Sequence, residues 1–206
     1  MKLLIKFIHS LKQLKKMKKI KNKEVLQSYI FTTAKYDFNV YEKRILYRIV
    51  EILQEYMQGL KLNTKHCLVI TPTNDLDFSI PLASLLTSNK DENYTRIIKA
   101  LESLNKKTIR YEDDKEWELI NLLERPKVVK DNHSFATFRI HPKIGEVFFD
   151  FSKGFKKYEL KTAMQFESVY SMRFYELFSH QKTPINYTID TLKEIFKIEG
   201  KYKQTR

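Results

Sequence analysis

The chain has 206 residues, of which 42% are hydrophobic and 31% charged, and a formal net charge of +13. That length allows one or two domains with a real apolar core, and no stretch approaches the roughly 18 apolar residues of a membrane-spanning helix. Only four glycines occur, which excludes phosphate-cradling glycine loops, and the single Cys67 can close no internal disulfide, which fits a reducing cytosol.

The charge is concentrated at the start. Residues 1–23 hold nine lysines and no acid; taking those nine from the 38 basic residues leaves 29 against 25 acids. The overall charge is therefore weak evidence for a basic surface on the folded part, and local placement has to carry any functional reading. Leu3, Leu4, Phe7, Ile8 and Leu11 are interrupted by Lys6, His9 and Lys12 too often for a signal-peptide core. A basic arm is expected over 1–23, with a membrane-surface amphipathic helix as the alternative. Met17 offers an alternative start.

The first strong helix is expected at about 40–57, where Tyr41, Ile45, Leu46, Ile49, Leu53 and Tyr56 recur at helical spacing. Asn39 followed by Glu42 reads as its cap. Residues 67–71 read as a strand, Pro72 to Asp77 as a turn, and Leu76–Ile80 as a second strand. A short helix over 82–86 follows Pro81, then a polar break, then a longer helix over 93–106. Thr108–Glu112 and Trp117–Leu123 read as a hairpin around an acidic turn, and Phe135–Ile140 as another strand. Pro142 opens a short helical region ending near Phe151. A second unit is expected to begin near Glu159, with a helix at 166–180, a turn or strand at 183–188, and a short helix over Asp190–Phe196 capped by Asp190.

Short helix, polar turn, longer helix and hairpin are the order of a winged helix-turn-helix. With Arg96 at zero and about 100° per residue, Lys99, Ser103 and Lys106 lie at roughly 300°, 340° and 280°, while Tyr94, Ile97, Leu101 and Leu104 fall between about 80° and 160°. One face can bury while the other meets phosphates and base edges. Candidate DNA contacts are Tyr94, Thr95, Arg96, Lys99, Ser103, Lys106 and Lys107, with Arg110 on the hairpin. Glu112, Asp113, Asp114, Glu116 and Glu118 make the wing acidic, so little phosphate contact is expected there.

The five histidines form no H-x-H pair and no H-E-x-x-H, so the metal site of a nicking enzyme has no ligands here. No G-x-x-x-x-G-K-[ST] occurs. His66 and Cys67 are neighbours on a strand and point to opposite faces, against a thiolate pair. The acids of 112–118 read as a solvated turn rather than a cation site. No catalytic residue, metal or cofactor is expected, and the chain does not read as an enzyme.

Val169-Tyr-Ser-Met-Arg-Phe-Tyr-Glu-Leu-Phe178 resembles the helix that opens the second domain of initiator Rep proteins of theta-replicating plasmids, which carry two winged-helix domains. Phe155-Lys-Lys-Tyr-Glu-Leu160 is similar to the segment before it, and Asn93 to Leu104 to the longer helix of the first domain. Asn22 to Tyr29 and Glu42 to Tyr47 are similar to its start. The resemblance implies an α+β fold with one complete winged-helix domain and the start of a second, the first over 24–158 and the incomplete second over 159–206; the basic arm 1–23, read from its lysines, has no counterpart in the family. It implies binding to repeated double-stranded origin DNA, initiation of plasmid replication, repression of its own gene, self-association through the first domain, host replication proteins as partners, no membrane, and a cytoplasmic location. Asp190–Phe196 matches the first helix of the second motif, and 201–206 the entry to its reading helix. Lys201, Lys203, Gln204 and Arg206 thereby become candidate contacts. The alternative is a winged-helix interaction or dimerisation module that does not read DNA.

Overall fold

A computed structural model describes residues 23–62, 66–86, 94–112, 114–129, 134–181 and 184–200. The arm expected before Lys23, the polar break at 87–93 and the candidate contacts Lys201, Lys203, Gln204 and Arg206 lie outside those residues.

The chain begins with β1 (Glu24–Ser28) and α1 (Tyr29–Thr33), then α2 (Val40–Met57). The α2 cap is as expected: Asn39 Oδ1 accepts from the Tyr41 and Glu42 amides, and the Glu42 carboxylate accepts from the Asn39 amide at 2.6 Å. Unlike a surface helix, α2 is buried nearly all round, from Ile45 and Leu46 to Lys43, Glu51 and Gln54. Each polar group it takes inside must then find a partner. Gln54, for one, accepts from the Leu26 amide and donates to the Glu24 carbonyl.

Strands β2 (Cys67–Ile70) and β3 (Leu76–Pro81) lead into a 3-10 turn at Leu82–Leu85, where a short helix over 82–86 is expected from the sequence. After α3 (Tyr94–Lys106) come β4 (Thr108–Glu112) and β5 (Trp117–Asn121), a two-stranded ribbon. β6 (Glu124–Val129) and β7 (Phe135–Ile140) complete a four-stranded sheet in the order β2-β3-β7-β6. β6 falls outside the strands read from the sequence. Pro126 argues against a strand there, and the ladder accommodates it with a bulge between Glu124 and Lys127, where Arg125 has φ 49°. The sheet buries Phe78, Ile80, Ala136, Phe138 and Ile140 by strict alternation. α4 (Pro142–Phe149) packs so closely that a Cβ on Gly145 would meet Leu76 Cδ1 at 2.9 Å.

β8 (Phe155–Glu159) pairs antiparallel with β1, with Val25 opposite Tyr158. α5 (Leu160–Gln165) and α6 (Val169–Phe178) follow, and α7 (Ile189–Phe196) packs on α6. The boundary expected at 158/159 falls inside one packed body, because Tyr158, Leu160, Ala163, Met164 and Met172 belong to the same apolar cluster as α2. A separate small cluster of Leu177, Ile195 and Phe196 starts only at the end of α6. The cap of α7 also differs from expectation: Thr188, not Asp190, accepts from the Thr191 amide, and Asp190 sits in the first turn. Among the described residues no helix is long and apolar enough to cross a membrane.

Candidate nucleic-acid interface

Helix α3 places its side chains as its periodicity requires. Ile97, Ala100, Leu101 and Leu104 are buried, while Tyr94, Thr95, Arg96, Lys99 and Lys106 are exposed and Ser103 is half-buried. Arg96, Lys99 and Lys106 have no carboxylate partner among the described residues. Lys106 also sits in the last helical turn, where a positive charge is favoured by the helix dipole.

Arg96 and Lys99 line an open groove between α3 and the start of α2, with Asn39, Tyr41, Arg44 and Glu167 on its other sides. The Tyr41 ring meets two guanidinium groups, with Arg44 at 5.2 Å and Arg96 at 5.9 Å from its centre. Arg44 itself is buried and donates to the Phe166 carbonyl at 3.1 Å. In the sequence Tyr41 belongs to the apolar stripe of α2, and nothing local ties it to a helix some fifty residues on.

Two of the candidate contacts have other partners. Lys107 turns back against α2, where Nζ reaches both Glu42 carboxylate oxygens at 2.7 and 2.8 Å and lies 4.8 Å from the Phe38 ring centre. Its charge is spent on a buried carboxylate and is not offered to the α3 face. Arg110 is exposed but paired with Glu112 at 2.8 Å and stacked over Trp117.

The wing is less acidic in effect than its composition suggests. Lys143, from α4, donates to Glu116 at 2.6 Å and Glu118 at 2.5 Å and lies 4.1 Å from the Tyr111 ring centre. Burial alone would lower the Lys143 pKa, but the hydrogen bonds to Glu116 and Glu118 outweigh it and hold it above the ordinary lysine value. The same hydrogen bond holds Glu118 below the usual glutamate range. This contact is complete above the ordinary value of about pH 4.3 and is lost as the pH falls through the lower folded value. An NMR titration of the Glu118 carboxyl is therefore expected to show a midpoint below about 4.3; a midpoint at or above it would mean that the wing is not docked on α4. No sequence signal linked Lys143 to the wing, since a chain reversal separates them.

Cys67 is exposed and the adjacent His66 buried, so they face apart. Among the described residues no three His, Cys, Asp or Glu side chains cluster as a metal site.

The family model described as Initiator Replication protein, WH1, matches residues 24–179. Twelve chains of solved structures also match. One, described as the crystal structure of Pi initiator protein in complex with iteron DNA, is 16% identical, with a TM-score of 0.59 over 85% of this chain and 73% of that one. At that identity the likeness is one of fold. No curated protein matches the sequence.

Proposed function

The chain belongs to the initiator replication protein family, whose WH1 model spans residues 24–179, and on that footing we propose that it starts plasmid replication by laying α3 against repeated double-stranded origin DNA. The observation that carries this is the exposed, unpaired cationic face of Arg96, Lys99 and Lys106 opposite a fully buried aliphatic face. Cations without carboxylate partners are free to displace the counterions of a phosphate backbone. Lys107 is left out of this surface because Glu42 already holds it. Thr95 and Ser103 lie on or beside the same face, where they meet sugar, phosphate or base edges, and Tyr94, exposed at the start of α3 on the side of its apolar stripe, is proposed as a contact from the helix end. Lys201, Lys203, Gln204 and Arg206 are proposed as additional cationic and polar contacts on the sequence alone.

The chain acts by binding and assembly rather than by catalysis, in the cytoplasm, and it represses its own gene where its sites overlap the promoter. Self-association and host replication proteins complete the assembly at the origin. A second reading, a protein-interaction module, draws support from the exposed Trp117 and Leu119 on one side of the ribbon, since exposed aromatic and aliphatic side chains suit protein contacts.

Fluorescence anisotropy with a labelled duplex tests the proposal. Three phosphate contacts give a slope of log affinity on log salt of about −2.7, or roughly a fortyfold loss between 50 and 200 mM salt. An affinity indifferent to salt over that range would be incompatible with a phosphate-contacting α3.

A further inference from the structure

Resting on the DNA-binding reading above, we infer that the groove between α3 and the first turn of α2 seats one backbone phosphate, with Tyr41 as a positioning residue and Glu167 as an opposing charge that limits affinity. The seat joins α3 of the helix-turn-helix to residues outside that motif, Tyr41 at the start of α2 and Glu167. Its cations are Arg96 and Lys99, which have no carboxylate partner among the described residues. The back wall is the Tyr41 ring, which braces the Arg96 guanidinium at 5.9 Å and also meets the Arg44 guanidinium at 5.2 Å.

Side chains, not the helix terminus, form this seat. The Tyr41 and Glu42 amides in the first turn of α2 are already taken, since Asn39 Oδ1 accepts from both. An incoming anion therefore finds the Tyr41 and Glu42 amides occupied, and is met by the guanidinium and ammonium groups. Arg44 contributes from beneath. Its bond to the Phe166 carbonyl pins the residue before Glu167, which keeps that carboxylate on the rim of the groove. Glu167 is exposed and faces no cation within ion-pair distance among the described residues, so it repels a phosphate entering there. An arrangement of two free cations, an aromatic brace and one opposing carboxylate fixes how deep α3 sits, while leaving base reading to the rest of its face. A single neutralised phosphate is worth about one unit of salt slope.

The test uses the full chain, a labelled duplex and salt titrations by anisotropy. Tyr41→Ala is expected to weaken binding about fivefold on every sequence, with a slope shallower by about one. Tyr41→Phe, which keeps the ring, is expected to stay within about twofold of the parent. Glu167→Gln is expected to strengthen binding by about threefold. That gain should shrink in an Arg96→Ala background and persist in a Lys106→Ala background, because Arg96 shares the groove with Glu167 and Lys106 does not. If the parent binds duplex in a salt-sensitive way and Glu167→Gln changes nothing in any background, the seat is wrong and the DNA-binding reading stands. If the parent binds no duplex, both fall. Should Tyr41→Ala fail to fold by circular dichroism, Tyr41→Phe and the Glu167 cycle decide alone.

Discussion

Reversing the two groove cations together, Arg96→Glu with Lys99→Glu, is expected to lower duplex affinity by on the order of a hundredfold or more. Each substitution removes a charge-assisted contact and adds a carboxylate facing the phosphates, so attraction is replaced by repulsion at two points. The fold should survive, because both side chains are exposed and neither holds a protein carboxylate among the described residues. Surface changes of this kind usually stay within about 0.5 kcal/mol of the parent stability. Arg96 does brace against Tyr41, which sets the upper limit of any structural cost. Affinity by anisotropy and self-association by sedimentation have to be measured on the same sample. Lost DNA binding with unchanged self-association is the expected result. Lost self-association with unchanged DNA binding would make α3 an assembly surface and would favour the interaction-module reading.

The second large effect lies in the interior. Lys43 of α2 and Glu176 of α6 form an ion pair at 2.5 Å with both side chains almost fully buried. Burial is the main force lowering the Lys43 pKa, and Glu176 works against it. Glu176→Ala would leave the ammonium without its counter-charge, at a cost of about 3–5 kcal/mol, against about 5–15 kcal/mol for a whole domain. Urea denaturation is expected to show that loss at neutral pH. A lysine whose folded pKa is depressed binds fewer protons folded than unfolded. Its stabilising share is therefore present above the unfolded value of about 10.4 and is lost as the pH falls through the folded value. The deficit of Glu176→Ala should accordingly shrink as the pH rises towards 10. Replacing both partners, Lys43→Met with Glu176→Leu, should recover most of the stability, since two apolar side chains need no counter-charge. An unchanged midpoint in Glu176→Ala would show that the pair contributes nothing.

This interior also explains the motif Val169–Phe178. Its Arg173 donates to the Tyr36 and Ala34 carbonyls at 2.8 and 2.7 Å, and its Glu176 meets Lys43. Gln27 accepts from Tyr158 Oη and donates to Thr32 Oγ1, so β1, β8 and α1 are tied into one polar cluster. The outer side of α6 carries Tyr170 and Phe174, which pack on Phe196 of α7. Charged residues in a helix read as opening a new unit are therefore the ones that fasten it to the preceding one.

Helices α2 and α3, the capping box at Asn39 and Glu42, and the ribbon of β4 and β5 were all legible before any coordinates, because each is written in contacts a few residues apart. The opposed cationic and aliphatic faces of α3 follow from helical geometry alone, and that is why the winged-helix reading could be made from residues 82–123. Pairing between β1 and β8 joins segments some 130 residues apart, and no local pattern records which strand a buried edge will find. Hence the boundary expected at Glu159 cut through a continuous core. Lys106 and Lys107 are neighbours of the same type, yet one is exposed to solvent and the other is held by Glu42. Lys143 and the acids of the wing, or Tyr41 and Arg96, likewise meet only when the chain has folded back on itself. Periodicity dictates which way a side chain leaves its own helix; what it meets there depends on which distant surface is packed alongside, because charge pairing acts through space and not along the chain.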